Sequence, residues 1–153
     1  MAASDLDTGM SMMADLPNYA CAIISAPDGF RLLQLRPASA RHAAAQLTCF
    51  GGRREPQESA ETCLLRELDE ELKWTATSLL PACELRQGRH FIARFFHCPM
   101  PRSTRLATEP GHIAVWIPPL ALSGLPLSPW HRAVLTAVDR AIGVVELPAD
   151  LLP

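Results

Sequence analysis

Residues 52–74 read GRREPQESAETCLLRELDEELKW, and the second half of that stretch decides the fold. Ser59 is a good N-cap, and the run from it to Leu72 has helical periodicity. Leu64, Leu68 and Leu72 recur at i, i+4 and i+8 with Leu65 beside them, which gives a helix a core stripe. Glu67, Glu70 and Glu71 recur at i, i+3 and i+4, so all three carboxylates leave one face. Like charges at that spacing cost an isolated helix about 0.2–0.5 kcal/mol per pair. Only Arg66 and Lys73 are near enough in sequence to offset them. A hard divalent cation would remove the repulsion, because such ions prefer carboxylate oxygens. The plainer reading is an acidic face turned to water. Its surroundings argue otherwise: Gly51-Gly52 breaks the strand upstream, Glu58 stands at the helix entrance, and Arg66 precedes the first glutamate of the three.

Outward from this helix the chain alternates apolar strands with turns. Residues 19–25 are strand-like, Pro27-Asp28-Gly29 is a turn signal, and residues 30–36 return as the second arm of a hairpin. An alanine-rich connection over 37–45 leads to a short strand over 46–50. Beyond the helix, residues 79–85 and 89–97 read as strands around Gln87-Gly88, and 112–117 as another after a loop. Ser128 and Pro129 form an N-cap and N1 pair for a second helix with Val134, Leu135, Val138 and Ile142 on its core side. Strands, a helix, strands and a helix in that order predict an α+β fold with a mixed sheet, not a doubly wound parallel one. No internal repeat or linker divides the chain. Residues 1–16 read as a disordered leader, 17–143 as one domain and 144–153 as a loose C-terminal tail.

The totals agree with one soluble domain. At 153 residues the chain can bury a core without disulfides, with 48% hydrophobic and 20% charged residues. A net charge of −2 offers no general attraction to a nucleic-acid polymer or an anionic membrane, so a polyphosphate would have to be held by local donors or metal ions. Five cysteines without a C-x-x-C pair or a secretory signal point to a reduced, cytoplasmic setting. The histidines do not fall at zinc spacing with them.

The stretch also resembles a family signature. It is similar to the Nudix box, G-x5-E-x7-R-E-U-x-E-E-x-G-U with U a bulky apolar residue. Gly52, Glu58, Arg66, Glu67, Leu68, Glu70, Glu71, Leu72 and Trp74 fall in register, and only Lys73 departs, standing where the family usually has glycine. That departure falls on the helix C-terminus, where glycine readily supplies a left-handed cap. A lysine there costs near 1 kcal/mol, or the helix ends differently. The resemblance implies a Nudix α/β/α sandwich with a mixed central sheet and a pyrophosphohydrolase like the MutT proteins. It implies Glu67, Glu70 and Glu71 as ligands to Mg²⁺ or Mn²⁺, with a backbone oxygen near Gly52, and Glu58 with Arg66 as an orienting ion pair. The general base varies within the family; Glu70 and Glu109, in the loop before the strand at 112–117, are the candidates.

Substrate choice lies outside the box. The resemblance implies a nucleotide or nucleotide derivative, and leaves a homodimer open. Family members that cleave oxidised nucleotides often use an asparagine near the closing helix. Here the single asparagine is Asn18, and the comparable region reads Leu127-Ser128-Pro129-Trp130-His131, which argues against oxidised guanine. Arg36, Phe91, Trp130 and Arg132 have the chemistry to touch a base or phosphate, although such residues more often serve packing or surface. Two rivals share the fold: a non-catalytic nucleotide-sensing or protein-binding module, and an isomerase of isoprenoid diphosphates. The intact glutamate triad argues against the first, since a module freed from catalysis need not keep it. The short chain argues against the second.

Overall fold

The computed structural model describes residues 15–150. The leader expected over 1–16 therefore lies outside the described residues, except for Asp15 and Leu16. Eight strands form one mixed sheet: β1 (Tyr19–Ser25), β2 (Arg31–Leu35), β3 (Leu47–Thr48), β4 (Phe50–Arg53), β5 (Leu80–Gln87), β6 (His90–Pro99), β7 (Ile113–Ile117) and β8 (Val144–Glu146). The helices are α1 (Ala60–Leu72) and α2 (Pro129–Asp139), with a 3-10 turn at Pro119–Gly124 between β7 and α2. The main path through the sheet runs β3-β2-β1-β6-β5-β8, with β4 on β1 and β7 on β2. β1 with β6 and β5 with β8 are parallel, and the other pairs are antiparallel.

β1 explains why the sheet needs cover on both sides. Successive strand residues point to opposite faces, and Ala20, Ala22 and Ile24 join α1 through Leu64, Leu68 and Leu72, whereas Cys21 and Ile23 join α2 through Val134 and Leu135. The result is the expected sandwich of helix, mixed sheet and helix. Among the described residues no helix is long and apolar enough to cross a membrane.

Four local expectations need correction. Gly51-Gly52 does not break the strand but continues it as β4, with Ala22 opposite Phe50 and Ala20 opposite Gly52. Gly51 has φ +144°, and a Cβ there would overlap the carbonyl oxygen of Ala20, so only glycine brings the strand this close. Leu65 is 38% exposed, and its expected place in the core is taken by Cys63 on the other side of Leu64. Helix α2 stops at Asp139, leaving Ile142 beyond it and 46% exposed, while Ala137 is buried. Finally, the segment expected to be a loose tail supplies β8, which pairs Val144, Val145 and Glu146 with Glu84, Leu85 and Arg86.

Candidate active site

Helix α1 begins as its sequence suggests, with the Ser59 hydroxyl accepting from the Thr62 N–H at 3.1 Å. It ends on Lys73, whose φ of 52° and ψ of 44° place it in the left-handed region, with its N–H bonded to the Asp69 carbonyl. The lysine thus adopts the cap conformation for which glycine is suited. The core stripe fixes the opposite face and presents Glu67, Glu70 and Glu71 toward the end of β4.

The first expected pair is brought together. Arg66 grips Glu58 with two bonds, Nη2 to Oε1 at 2.6 Å and Nε to Oε2 at 2.9 Å. The Glu58 side chain is only 8% exposed, and the guanidinium holds its carboxyl down at about 2. Arg66 Nη2 also donates to the Arg53 carbonyl at 3.2 Å, which ties the end of β4 to α1. The remaining nitrogen, Nη1, stands 3.0 Å from Glu67 and 3.4 Å from Glu70. One arginine therefore serves the Arg53 carbonyl and three carboxylates at once.

The glycines set the other wall. The Gly51 N–H donates to Glu71 Oε1 at 3.0 Å. Gly52 lies so close to Glu67 that a Cβ would overlap its carboxylate, and its carbonyl accepts from the Cys63 thiol at 3.6 Å. Burial pushes the Glu71 carboxyl up to about 8, against the lowering effect of the Gly51 bond, and the charges of Glu67 and Glu109 add to the rise. Burial also raises Glu67, against the pull of Arg66. Glu70 is half exposed.

Glu67 and Glu70 turn toward Arg66 while Glu71 turns to Gly51. Accordingly, among the described residues no three histidine, cysteine or acidic side chains already stand together at ligand spacing. The donor set nonetheless suits a hard divalent cation: its groups are oxygens, and the carboxyls of Glu67 and Glu71 are partly buried, so that burial disfavours their charged forms and a cation would favour them. Glu109 lies in the loop before β7, near enough for its charge to act on Glu71. Its Oε2 is 3.9 Å from His112 Nε2, and His112 Nδ1 is 2.6 Å from Nε2 of the buried Gln34.

Beside the two glycines a cavity of about 420 Å³ opens between the sheet and the start of α2. Arg36 and Trp130 line it, as do Gln34, Thr48, Cys49 and His131. Tyr19 and Trp130 also border a shallower recess of about 220 Å³. Of the other residues noted in the sequence, Phe91 packs under the guanidiniums of Arg86 and Arg94. Arg132 donates to the carbonyls of Leu122 and Leu125. Sequence reasoning missed His131, whose Nδ1 accepts from the Cys49 N–H at 3.0 Å, and the Gln34–His112 contact. Neither spacing carries a recognisable signal, because each joins elements far apart in the chain.

The NUDIX domain family matches residues 15–138. The chain belongs to the Nudix family. Solved structures with a similar fold include the ORF135 protein of E. coli, at 29% identity and TM-score 0.56, over 86% of this chain and 93% of that one. A MutT Nudix hydrolase from Burkholderia pseudomallei is 25% identical with TM-score 0.62, over 77% and 94%. The Nudix domain of Shewanella oneidensis NrtR, solved with ADP ribose, shares the fold at 18% identity and TM-score 0.65, over 82% and 88%. No curated protein matches the chain by sequence. Nudix hydrolases generally use divalent metal ions.

Proposed function

We propose that this Nudix protein is a metal-dependent pyrophosphohydrolase that splits the diphosphate linkage of a nucleoside triphosphate or a nucleoside diphosphate derivative. The observation that carries this reading is the placement of Glu71, partly buried beside Glu67 and held by the N–H of Gly51, a residue that lines the cavity. Glu67, Glu70 and Glu71, with the Gly52 carbonyl, would hold Mg²⁺ or Mn²⁺. Bound there, the ion would neutralise phosphate charge and supply an activated water for attack on phosphorus.

The chain's own residues do the positioning. Arg66 holds Glu58 and the Arg53 carbonyl, so the loop after β4 and the face of α1 move as one body. Gly51 and Gly52 let backbone, not side chain, meet the carboxylates, which leaves room for the diphosphate. The cavity takes the nucleoside end, a small molecule and not a polymer. Glu70 and Glu109 are the general-base candidates: the first is half exposed on the helix, and the second faces the same site from the loop.

The test is incubation with Mg²⁺ or Mn²⁺ and a panel of nucleoside triphosphates, dinucleotides and nucleotide sugars, with products resolved by chromatography. Metal-dependent cleavage that Glu71→Gln abolishes supports the hydrolase and names its substrate class. Nucleotide binding without cleavage of any substrate assigns the chain to the sensing modules instead.

A further inference from the structure

Glu109-Pro110-Gly111-His112 closes a tight turn in which the His112 N–H donates to the Glu109 carbonyl at 3.0 Å. Gly111 has φ +83°, so proline followed by glycine gives the pattern of a type II turn, which brings its first and fourth residues together. The Glu109 and His112 side chains accordingly face each other, Oε2 to Nε2 at 3.9 Å. Backbone anchors the turn on both flanks. On one side the Ala107 N–H donates to the carbonyl of Leu72, the residue after Glu71, at 3.1 Å. On the other, β7 pairs Ile113 with Leu35 and Ala114 with Gln34 of β2.

Gln34 points to the carboxylate side of the sheet. Leu33 and Leu35 pack with α2 and Leu32 with α1, so alternation turns Gln34 toward α1. Ala114 and Trp116 place His112 on that same side. Gln34 is only 2% exposed, and a buried amide needs a partner. Its Nε2 donates to His112 Nδ1 at 2.6 Å. With Nδ1 accepting, the single proton of a neutral imidazole lies on Nε2, the atom that faces Glu109.

We propose that Gln34 and His112 are positioning residues that aim Glu109 at the carboxylates of α1 as the general base. The inference rests on the pyrophosphohydrolase reading for the reaction itself. In that reaction Glu109 takes one proton from the attacking water as its oxygen bonds to phosphorus. The bridging oxygen leaves with the electrons of its broken bond to phosphorus. At 3.9 Å the imidazole and the carboxylate are a facing pair, and such contacts tighten in the complex with substrate. Glu70, the other candidate, is among the carboxylates proposed to hold the ion, which leaves Glu109 free to take the proton.

The experiment measures kcat and KM with Mg²⁺ on the best substrate of the panel above, with a thermal melt of each variant. Glu109→Gln should lower kcat by at least about a hundredfold, the low end for a lost general base. His112→Phe should lower kcat about ten- to a hundredfold, the scale for an orienting partner, with KM within about twofold. Added to Glu109→Gln, His112→Phe should change kcat by less than about twofold, because no base is left to orient. A parent-like kcat in either single variant, or an equal loss from His112→Phe with and without Glu109, overturns the proposal. Nitrogen-15 spectra of the imidazoles, taken above the pH at which histidines ordinarily titrate, supply a readout that needs no turnover. The His112 proton should lie on Nε2, and the Nδ1 resonance should move downfield in Gln34→Met as its bond is lost. A proton on Nδ1, or a resonance that Gln34→Met leaves unmoved, also overturns the proposal. Cleavage of no substrate, with the spectra as expected, overturns the hydrolase reading and keeps the Gln34–His112 device.

Discussion

The Gly51 N–H reaches across from β4 to bond Glu71 Oε1 at 3.0 Å, so the last carboxylate of the helix is held by backbone rather than by a cation. Glutamine at 71 keeps an oxygen acceptor for that N–H and removes the charge. Glu71→Gln should therefore melt within a few degrees of the parent protein while losing turnover by well over the roughly hundredfold typical of groups that only support a metal ligand. Steady-state rates with Mg²⁺, beside a thermal melt, check both halves, and full activity would sink the assignment.

Gly52 touches the carboxylate of Glu67 with no room for a methyl group. Gly52→Ala should push Glu67 aside and cut kcat/KM by on the order of a hundredfold, the usual consequence of a misplacement near 1 Å. A protein that folds normally and turns over at the parent rate would show that Glu67 need not sit where it does.

Arg66 is a fork, and lysine is not. Its two-point grip on Glu58 and its bonds to Arg53 and Glu67 need the planar guanidinium. We expect Arg66→Lys to lower activity about ten- to a hundredfold, as loss of an orienting partner does, with charge unchanged. The rate at saturating metal is the discriminating measurement, because a merely electrostatic Arg66 would be replaced by lysine at little cost.

Lys73 adopts a left-handed backbone at the end of α1. Lys73→Gly should stabilise the fold by about 1 kcal/mol, less whatever the 3.4 Å contact of its ammonium with the Glu70 carbonyl contributes. In a chain of this size that corresponds to a melting shift of roughly 2–4 °C upward. A downward shift would mean that the side-chain contact outweighs the backbone strain.

His131 makes stability fall in mild acid. In the unfolded chain a histidine titrates near 6.5, and burial lowers it to about 4 in the fold. Between those values the unfolded chain binds more protons, so its contribution is intact above about 6.5 and is lost as pH drops toward 4. The loss is at most about 3 kcal/mol, and smaller to the extent that cavity water solvates the ring. Urea midpoints at pH 7 and 4.5 should separate more in the parent than in His131→Gln, which retains an acceptor for Cys49 but does not titrate; equal separations would refute it.

What could be read in the chain beforehand was whatever one helix or strand carries by itself. The period of Leu64, Leu68 and Leu72, the Ser59 cap, and the common face of the three glutamates are local, and the structure has each of them. Gly51-Gly52 was misread because a glycine pair signals a break by propensity, whereas here the missing Cβ atoms let β4 close on β1 and α1. The residues 144–146 form a strand only because Gly143 and Val144 meet an open edge at Glu84, a partner sixty residues away. Trp130, His131 and Gln34 were present in the composition, but their meeting in one cavity depends on how α2 lies over the sheet.

Leu47 to Arg53 passes from β2 to β1 almost without interruption, as β3 and then β4. Its first half floors the cavity at Thr48 and Cys49, and its second half meets the carboxylates at Gly51 and Gly52. Three steps of extended chain, about 10 Å, separate Thr48 from Gly51. The segment is thus a ruler: the distance from the cavity floor to the carboxylates is measured in peptide units, and a one-residue insertion here would lengthen it by about 3.4 Å and turn the side chains that follow to the opposite face of the sheet.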